Sequence, residues 1–140
     1  MKVVLDTNVL VSGLINHVGV PAQVVNLLLN GRIGLLYDTR VLTEYQEVLR
    51  RKKFAFKSST VAPLLDYIKA EGEFVAAEPA DQAFDDADDR AFYEVAKTGK
   101  ARFLVTGNKD HFPKEPMVKS PKEFIEIFLA EADKPSTAAT

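Results

Sequence analysis

The chain contains no cysteine, which excludes both disulfide bonds and thiolate metal sites. Any bound metal ion would therefore be held by oxygen atoms or by the two histidines. No apolar run approaches the length of a membrane span, and a strand predicted from residue 2 leaves no room for a signal peptide. We therefore expect a cytoplasmic protein that does not bind membranes.

The chain also lacks an excess of positive charge, because eighteen basic and twenty acidic residues give a formal net charge of −2. This balance argues against a surface coated with cations for nucleic acid, but it is compatible with a local basic patch. The 140 residues suit one domain. We predict that this domain spans residues 1–130 and that residues 131–140, EADKPSTAAT, form a disordered tail.

Strand-like and helix-like stretches alternate along the chain, which is typical of βαβ units around a parallel sheet. We expect an α/β fold with three layers, α/β/α, and a central, mostly parallel sheet of four to five strands. The predicted strands lie at 2–5, 33–37, 73–77 and 101–106. The predicted helices lie at 21–30, 41–52, 58–71 and 89–97, and a last helix opens with a capping box from Ser120 to Glu123.

Acidic residues follow the apolar strands or open helices at three places. Asp6 stands directly after the apolar residues 3–5, an aspartate cluster fills positions 85–89, and TGNKDHF (106–112) follows the strand at 101–106. Because the carboxyl ends of parallel strands share one edge of a sheet, these distant acids can converge. An alternative stays open at each place, since aspartate is also a common turn residue and helix cap.

Helical periodicity gives one further candidate acid. On a helical wheel, Glu44 lies roughly 100° from the centre of the apolar stripe and borders the buried face, whereas Glu47 lies roughly 160° away and faces solvent. The alternative for Glu44 is a surface glutamate paired one turn along the helix. The same wheel on the later helix places Asp88 and Asp89 on opposite flanks of the apolar stripe and does not choose between them.

Carboxylates that converge without a cation repel one another and raise one another's pKa. A divalent ion removes this repulsion, and a site made of aspartate and glutamate oxygens suits Mg²⁺ or Mn²⁺. Such an ion can activate a water molecule and stabilise the leaving oxygen in an in-line displacement. This is the chemistry of phosphodiester hydrolysis.

Four motifs, VVLDTNVLVSGL, TEYQEVLRR, DDADDRAFYEVA and LVTGNKDHFP, occur in this order. Together they resemble the PIN-domain family, specifically the VapC-like ribonucleases that are toxin components of toxin–antitoxin pairs. The resemblance covers residues 2–128. It implies a parallel sheet flanked by helices, Mg²⁺ or Mn²⁺ held by a few acids, RNA as the substrate, an antitoxin protein as a partner, and a homodimer.

The resemblance also assigns roles to individual residues. The positions that match the catalytic, metal-binding acids of the family are Asp6, Glu44 and Asp89. Thr7 and Asn8 match the polar pair that follows the first acid, where they would orient Asp6.

The fourth acid position departs from the family pattern. Many relatives carry an aspartate after the threonine–glycine pair, but this chain has Asn108, with Asp110 two residues further on. An asparagine offers an oxygen ligand without charge. We predict that Asp110 makes a weaker metal contact and that Asp86, Thr106 and Asn108 line the cleft.

Basic residues near one helix end are candidates for binding RNA. These are Arg50, Arg51, Lys52 and Lys53, with Lys57 nearby, and His111 is a candidate phosphate contact or proton donor. The alternatives are a solvated helix end and a loop-packing histidine. His17 could line the cleft, or it is an exposed loop histidine.

Two other functional classes are compatible with parts of the sequence. Phosphoryl transfer through an aspartyl intermediate at Asp6 is disfavoured, because Asn8 stands where haloacid-dehalogenase-type phosphatases carry a second aspartate. Receiver domains are disfavoured because no acidic pair precedes the first strand. A catalytically eroded PIN-like module that binds RNA or protein remains the alternative to a nuclease, since Asn108 replaces an acid.

The sequence also suggests how the chain associates. The first two predicted helices contain long apolar stretches, VVNLLLN and VLTEYQEVL. A small monomer would leave little of such surface uncovered, so we expect a two-fold homodimer.

Overall fold

Five short strands form a single parallel sheet in the computed structural model, which describes residues 1–133. The strands are β1 (Lys2–Leu5), β2 (Gly34–Tyr37), β3 (Glu73–Phe74), β4 (Phe103–Val105) and β5 (Val118–Lys119). Their order across the sheet is β3-β2-β1-β4-β5, and all pairings are parallel. Val3 pairs with Leu35 on one side and with Phe103 on the other. The central strands are continuously apolar because helices cover both faces of the sheet.

Six α-helices accompany this sheet within the described residues, which confirms the predicted three-layer α/β/α fold. They are α1 (Thr7–Ile15), α2 (Val20–Leu29), α3 (Thr39–Leu49), α4 (Ser58–Glu71), α5 (Ala87–Thr98) and α6 (Pro121–Ala132). Two short 3-10 helices, Lys52–Phe54 and Lys109–His111, lie in the connections. α2 packs against α1 and α6, whereas α3 packs against α4 and α5.

Within residues 1–133, no single helix is long and apolar enough to cross a membrane. α1 and α2 would reach the required length and composition only together, and the pair is bent by 105°.

The sequence analysis did not predict α1. Its sequence, TNVLVSGLI, contains several residues of low helix propensity, and the first predicted helix began only at Pro21. The helix forms because Asp6 caps it by accepting a hydrogen bond from the N–H of Asn8, and because it packs closely on α2. Gly13 permits this approach, since a Cβ atom there would lie 2.8 Å from Cγ2 of Val25. Capping and tertiary packing therefore outweigh the intrinsic propensity.

Several element boundaries also differ from the predictions. α3 ends at Leu49 rather than at residue 52, because the backbone is extended at Arg51 before the 3-10 helix begins. β3 is shorter than predicted, and β5 was not located from the sequence. α6 begins with the predicted capping box and continues to Ala132, which is two residues into the predicted tail. The remainder of that tail, residues 134–140, lies outside the described residues.

The apolar stretches that led to the homodimer prediction are largely covered within the chain itself. The buried residues of these two helices are Ala22, Val24, Val25 and Leu28 in α2 and Val41, Tyr45, Val48 and Leu49 in α3. The most exposed apolar residues lie elsewhere, at Ile15 (61% exposed) and Val18 (89% exposed). Leu29 of α2 is 44% exposed, so α2 and α3 leave only a small apolar surface uncovered, and the homodimer stays a prediction.

The fold brings the end of β1 next to the middle of α3. Tyr45 of α3 is fully buried, and its hydroxyl donates a hydrogen bond of 2.5 Å to the backbone carbonyl of Leu5. The Tyr45 ring also stacks on Phe92 of α5, with ring centroids 6.3 Å apart. Because Asp6 follows Leu5 and Glu44 precedes Tyr45, these contacts fix the backbone positions of two predicted site residues.

Candidate active site

Asp6 is held in one orientation by hydrogen bonds from two segments of the chain. Its carboxylate is only 7% exposed. Oδ2 accepts hydrogen bonds from the Thr106 hydroxyl at 2.8 Å and from the Asn8 side-chain amide at 3.3 Å, and Oδ1 accepts one from the Asn8 backbone at 3.3 Å. Asp6 is therefore both the cap of α1 and a carboxylate fixed at the carboxyl edge of the sheet, so the two interpretations of this position are compatible.

The turn after β4 is tied to the start of α1. The Thr106 hydroxyl accepts a hydrogen bond from the N–H of Asn108 at 3.0 Å, and the Asn8 side-chain oxygen accepts one from the N–H of Gly107 at 3.1 Å. The Thr7 hydroxyl is buried and has no hydrogen-bond partner among residues 1–133. Asn8 and Thr106 therefore orient Asp6, whereas the Thr7 side chain does not.

Asp89 lies close to Asp6 at the start of α5. The pKa of Asp89 is raised to about 6, chiefly by burial and also by the negative charges of Asp6 and Asp86, against the opposing effect of His111. His111 Nδ1 lies 3.5 Å from Asp89 Oδ2. The pKa of Asp6 is also raised, chiefly by burial and further by Asp86, against the hydrogen bonds from Thr106 and Asn8.

Glu44 faces a different aspartate. Glu44 is half-buried and Glu47 is exposed, which confirms the positions that the helical wheel predicted for these two residues of α3. The pKa of Glu44 is raised to about 7, chiefly by burial and also by a hydrogen bond with Asp88 and the charge of Asp88, against the opposing charge of Arg51. The structure thus places Asp89 beside Asp6 and Asp88 beside Glu44, a division that the sequence analysis left open.

The aspartate cluster also has a structural role. Asp86 caps α5, since its side chain accepts a hydrogen bond of 2.7 Å from the N–H of Asp88. Its charge raises the pKa of Asp6, Glu44 and Asp89. Asp86 therefore caps α5 and also lies near the other acids.

The loop after β4 directs Asp110 and Asn108 into two different clefts. A cleft of about 490 Å³ is lined by Asp86, Asp89, Asp110 and His111 together with apolar groups such as Phe84 and Phe112. Asn108 instead lines a cleft of about 280 Å³ on the α1 side, with Asn8 and Pro121. His17 lies in the exposed connection between α1 and α2 and is not among the residues lining either cleft.

The acids are close enough to interact electrostatically, but they do not form a finished metal site. Within residues 1–133, no three aspartate, glutamate or histidine side chains are arranged to hold one ion. The donor set, which consists of carboxylate oxygens with raised pKa values, has the chemistry of a site for a hard divalent cation. Their side chains would have to move closer together to share one ion.

A second charged group, which the sequence analysis missed, fixes the start of α3 against α5. Arg40 donates hydrogen bonds to Asp38 at 2.8 Å and to Glu94 at 2.7 Å. Glu94 is 4% exposed and also accepts a hydrogen bond from the N–H of Ala80 at 2.7 Å. Burial alone would raise the pKa of Glu94, but the hydrogen bond from Arg40 lowers it. The sequence did contain a signal for this contact, since Glu94 stands inside the apolar run AFYEVA. A glutamate in such a run is expected to be buried, and a buried glutamate needs a charged or hydrogen-bonding partner.

We expect the substitution Glu44→Gln to stabilise the metal-free protein more at about pH 8 than at about pH 5. A carboxyl whose pKa is raised by folding contributes stability below its unfolded pKa, and this contribution is lost as the pH rises through the folded value. For Glu44, that loss occurs between its ordinary pKa of 4.5 and about 7. Urea unfolding at the two pH values measures the effect.

Glu47→Gln is the matched control for this experiment, because Glu47 is exposed on the same helix. It should change the stability equally at both pH values. An equal response of Glu44→Gln and Glu47→Gln would show that Glu44 does not face other acids in solution.

Comparison with known proteins gives one family and one relative. The chain matches the family described as PIN domain over residues 2–110. An uncharacterized protein of Methanocaldococcus jannaschii, MJ1680, is 27% identical in an alignment of 143 residues that covers 91% of this chain and 92% of the relative. No solved structure matches the chain. The matched range includes Asp6, Glu44, Asp89 and Asp110.

Proposed function

Because the chain belongs to the PIN domain family, which has a nuclease-type fold, we propose that it is a metal-dependent endoribonuclease. It would hydrolyse RNA phosphodiesters with Mg²⁺ or Mn²⁺ held by clustered carboxylates. One observation carries this proposal. Asp6, Glu44 and Asp89 come from three separate elements, and the pKa of each is raised by burial and by neighbouring carboxylates. Acids in such an arrangement favour a divalent cation that neutralises them.

The residues that would hold the ion are Asp6, Glu44 and Asp89, with Asp110 as an outer contact. A bound divalent ion supplies water activation and stabilisation of the leaving oxygen. Thr106 and Asn8 hold the Asp6 carboxylate in place through hydrogen bonds, so it need not reorient when substrate arrives. His111 lines the cleft beside Asp89, where it can contact an RNA phosphate.

Incubation of the purified protein with mixed RNA, with and without Mn²⁺, tests this function. We expect shortened RNA only when Mn²⁺ or Mg²⁺ is present, and we expect a chelator to stop the reaction. Cleavage that persists in the chelator would contradict the role of the metal. RNA binding without cleavage in any divalent ion would favour the alternative, a catalytically inactive PIN-like binding module.

The proposal extends to the biological setting, with the chain as a cytoplasmic toxin component that an antitoxin protein restrains. An antitoxin could close the acid-lined cleft with an arginine, because a guanidinium replaces the neutralising charge of the ion. We also propose a two-fold homodimer, now on the basis of the exposed apolar residues Ile15 and Val18. A monomer in light scattering at micromolar protein would contradict the dimer.

The roles of Asp110 and Asn108 can be separated by substitution. Asp110→Ala should weaken RNA cleavage less than Asp89→Asn does, because Asp110 is exposed and Asp89 is half-buried next to Asp6. Initial rates at saturating Mn²⁺ measure the difference. If Asp110→Ala is as damaging as Asp89→Asn while Asn108→Ala is harmless, Asp110 is the fourth acid of the site.

A further inference from the structure

The connection between α3 and α4, residues 50–57 with the sequence RRKKFAFK, carries a concentration of positive charge. Its five cations are exposed, although the chain as a whole has a net charge of −2. Within residues 1–133, none of the five forms an ion pair with a carboxylate, in contrast to Lys2, Arg40, Arg102 and Lys109. This segment is therefore a local concentration of positive charge that no carboxylate within residues 1–133 neutralises through an ion pair.

Two phenylalanine rings are stacked within the same segment. The rings of Phe54 and Phe56 are parallel to within 14°, and their centroids lie 5.5 Å apart. Both phenylalanines are half-buried, and Phe56 packs against the hydrophobic core. Lys53 Nζ lies 5.0 Å from the centroid of the Phe54 ring. An aromatic ring is thus presented next to a cation, on a support fixed to the core.

The backbone between the two rings adopts a costly conformation. Ala55 has a φ of 52°, in the left-handed region that residues other than glycine rarely occupy. Its N–H donates a hydrogen bond of 3.1 Å to the carbonyl of Lys52, which closes the 3-10 turn. Such strain persists only where the surrounding structure imposes it, and it is often found at functional positions.

The segment adjoins the acids of the candidate active site. Arg51 is close enough to Glu44 for its charge to oppose the rise in the pKa of Glu44. Arg50 and Phe56, which lie towards opposite ends of the segment, line one cavity of about 230 Å³. The exposed surface of the segment therefore lies near Glu44 at Arg51, and its two ends meet at one cavity.

We propose that this surface is a binding subsite for an unstacked nucleotide of single-stranded RNA, with the base against Phe54 and the flanking phosphates on Lys53 and Arg51. The proposal rests on the proposed function, because it takes RNA as the ligand of the acid-lined cleft. Stacking on an aromatic ring combined with cations along the backbone is the way in which proteins bind single strands without reading their sequence. An acidic protein would use the cations but would not need the aromatic ring.

Binding of a fluorescent oligouridine of about twelve nucleotides, measured by anisotropy in EDTA, tests the subsite. Phe54→Leu should weaken binding roughly ten-fold because leucine cannot stack with a base, whereas Phe54→Tyr should stay within about two-fold of the wild type. Lys53→Gln should reduce the slope of log Kd against log salt by about 0.7, and Phe54→Leu should leave that slope unchanged. Lys122→Gln is the control, because it removes one exposed charge from α6.

The outcomes separate the subsite from its alternatives. Wild-type affinity for oligouridine in both Phe54→Leu and Lys53→Gln would overturn the subsite, as would an equal change of salt slope in Lys122→Gln. Duplex RNA of the same length has no free base, so its affinity should not respond to Phe54→Leu, and an equal loss on the duplex would also overturn base stacking. If melting shows that Phe54→Leu is unfolded, the slope of log Kd against log salt for Lys53→Gln decides whether the subsite exists.

The test also separates the subsite from the nuclease proposal, because EDTA removes the metal on which cleavage would depend. A protein that binds oligouridine through Phe54 but never cleaves RNA would retain the subsite and refute the nuclease. A protein that cleaves RNA, but whose affinity for oligouridine is unchanged in Phe54→Leu and Lys53→Gln, would support the nuclease and refute the subsite.

Discussion

Replacement of Asp6 by asparagine is expected to reduce Mn²⁺-dependent RNA cleavage roughly 100-fold or more while leaving the fold intact. Asparagine is as good a helix cap as aspartate, but its single side-chain oxygen can replace only one of the two Asp6 oxygens, either the one that caps α1 or the one that accepts from Thr106. The substitution therefore removes one negative charge and one acceptor oxygen. Because burial and Asp86 raise the pKa of Asp6, loss of that charge should also leave the metal-free protein at least as stable as the wild type.

Two measurements test this expectation, a gel assay of RNA cleavage and thermal melting with and without Mn²⁺. Mn²⁺ should raise the melting temperature of the wild type more than that of Asp6→Asn, because an ion that binds only the folded state stabilises it by mass action. Asp66→Asn is the matched control, since Asp66 is exposed on α4. Equal cleavage by Asp6→Asn and Asp66→Asn would show that Asp6 is not part of an active site.

The second large effect concerns stability. Arg40→Ala should lower the free energy of unfolding near neutral pH by roughly 3 kcal/mol, because it leaves buried Asp38 without its cation and buried Glu94 with only the longer ion pair to Arg90 at 3.7 Å. Asp38 and Glu94 are both buried, while Arg40 itself is half-exposed, so water can compensate part of the loss. The start of α3 would also lose one of its contacts with α5, whereas the stacking of Tyr45 on Phe92 remains.

Urea unfolding of the wild type and of Arg40→Ala measures this loss. Arg40 lowers the pKa of Glu94, so the wild type gains stability from this pair above the ordinary pKa of Glu94 and loses it as the pH falls. The difference between wild type and variant should therefore shrink towards acidic pH. Arg102→Ala, which removes a surface ion pair with Glu131, is the control and should cost less than about 1 kcal/mol. Equal losses in the two variants would contradict a special role of the buried pair.

Part of the architecture is local and could be derived from the sequence. The uninterrupted apolar residues of β1 and β4 predicted strands buried on both faces, and the alternation of strands with helices predicted a parallel sheet. Ser120 and Glu123 predicted the start of α6, because a capping box involves residues only three positions apart. The wheel of α3 placed Glu44 at the edge of the buried face for the same reason, since helical periodicity needs no knowledge of distant residues.

The arrangement of the site depended on contacts between residues far apart in the chain, which only the tertiary structure decided. Thr106 and Asp6 are 100 positions apart, and Arg40 and Glu94 are 54 positions apart. The wheel of α5 placed Asp88 and Asp89 on two flanks, but their partners depend on how α5 packs against α3 and β1. α1 was not predicted, because its residues have low intrinsic helix propensity and its packing on α2 compensates for this. The sequence alone determined which types of residue lie at one edge of the sheet. Packing determined which of these residues face one another, because the distance between two side chains depends on how the helices and strands that carry them are placed.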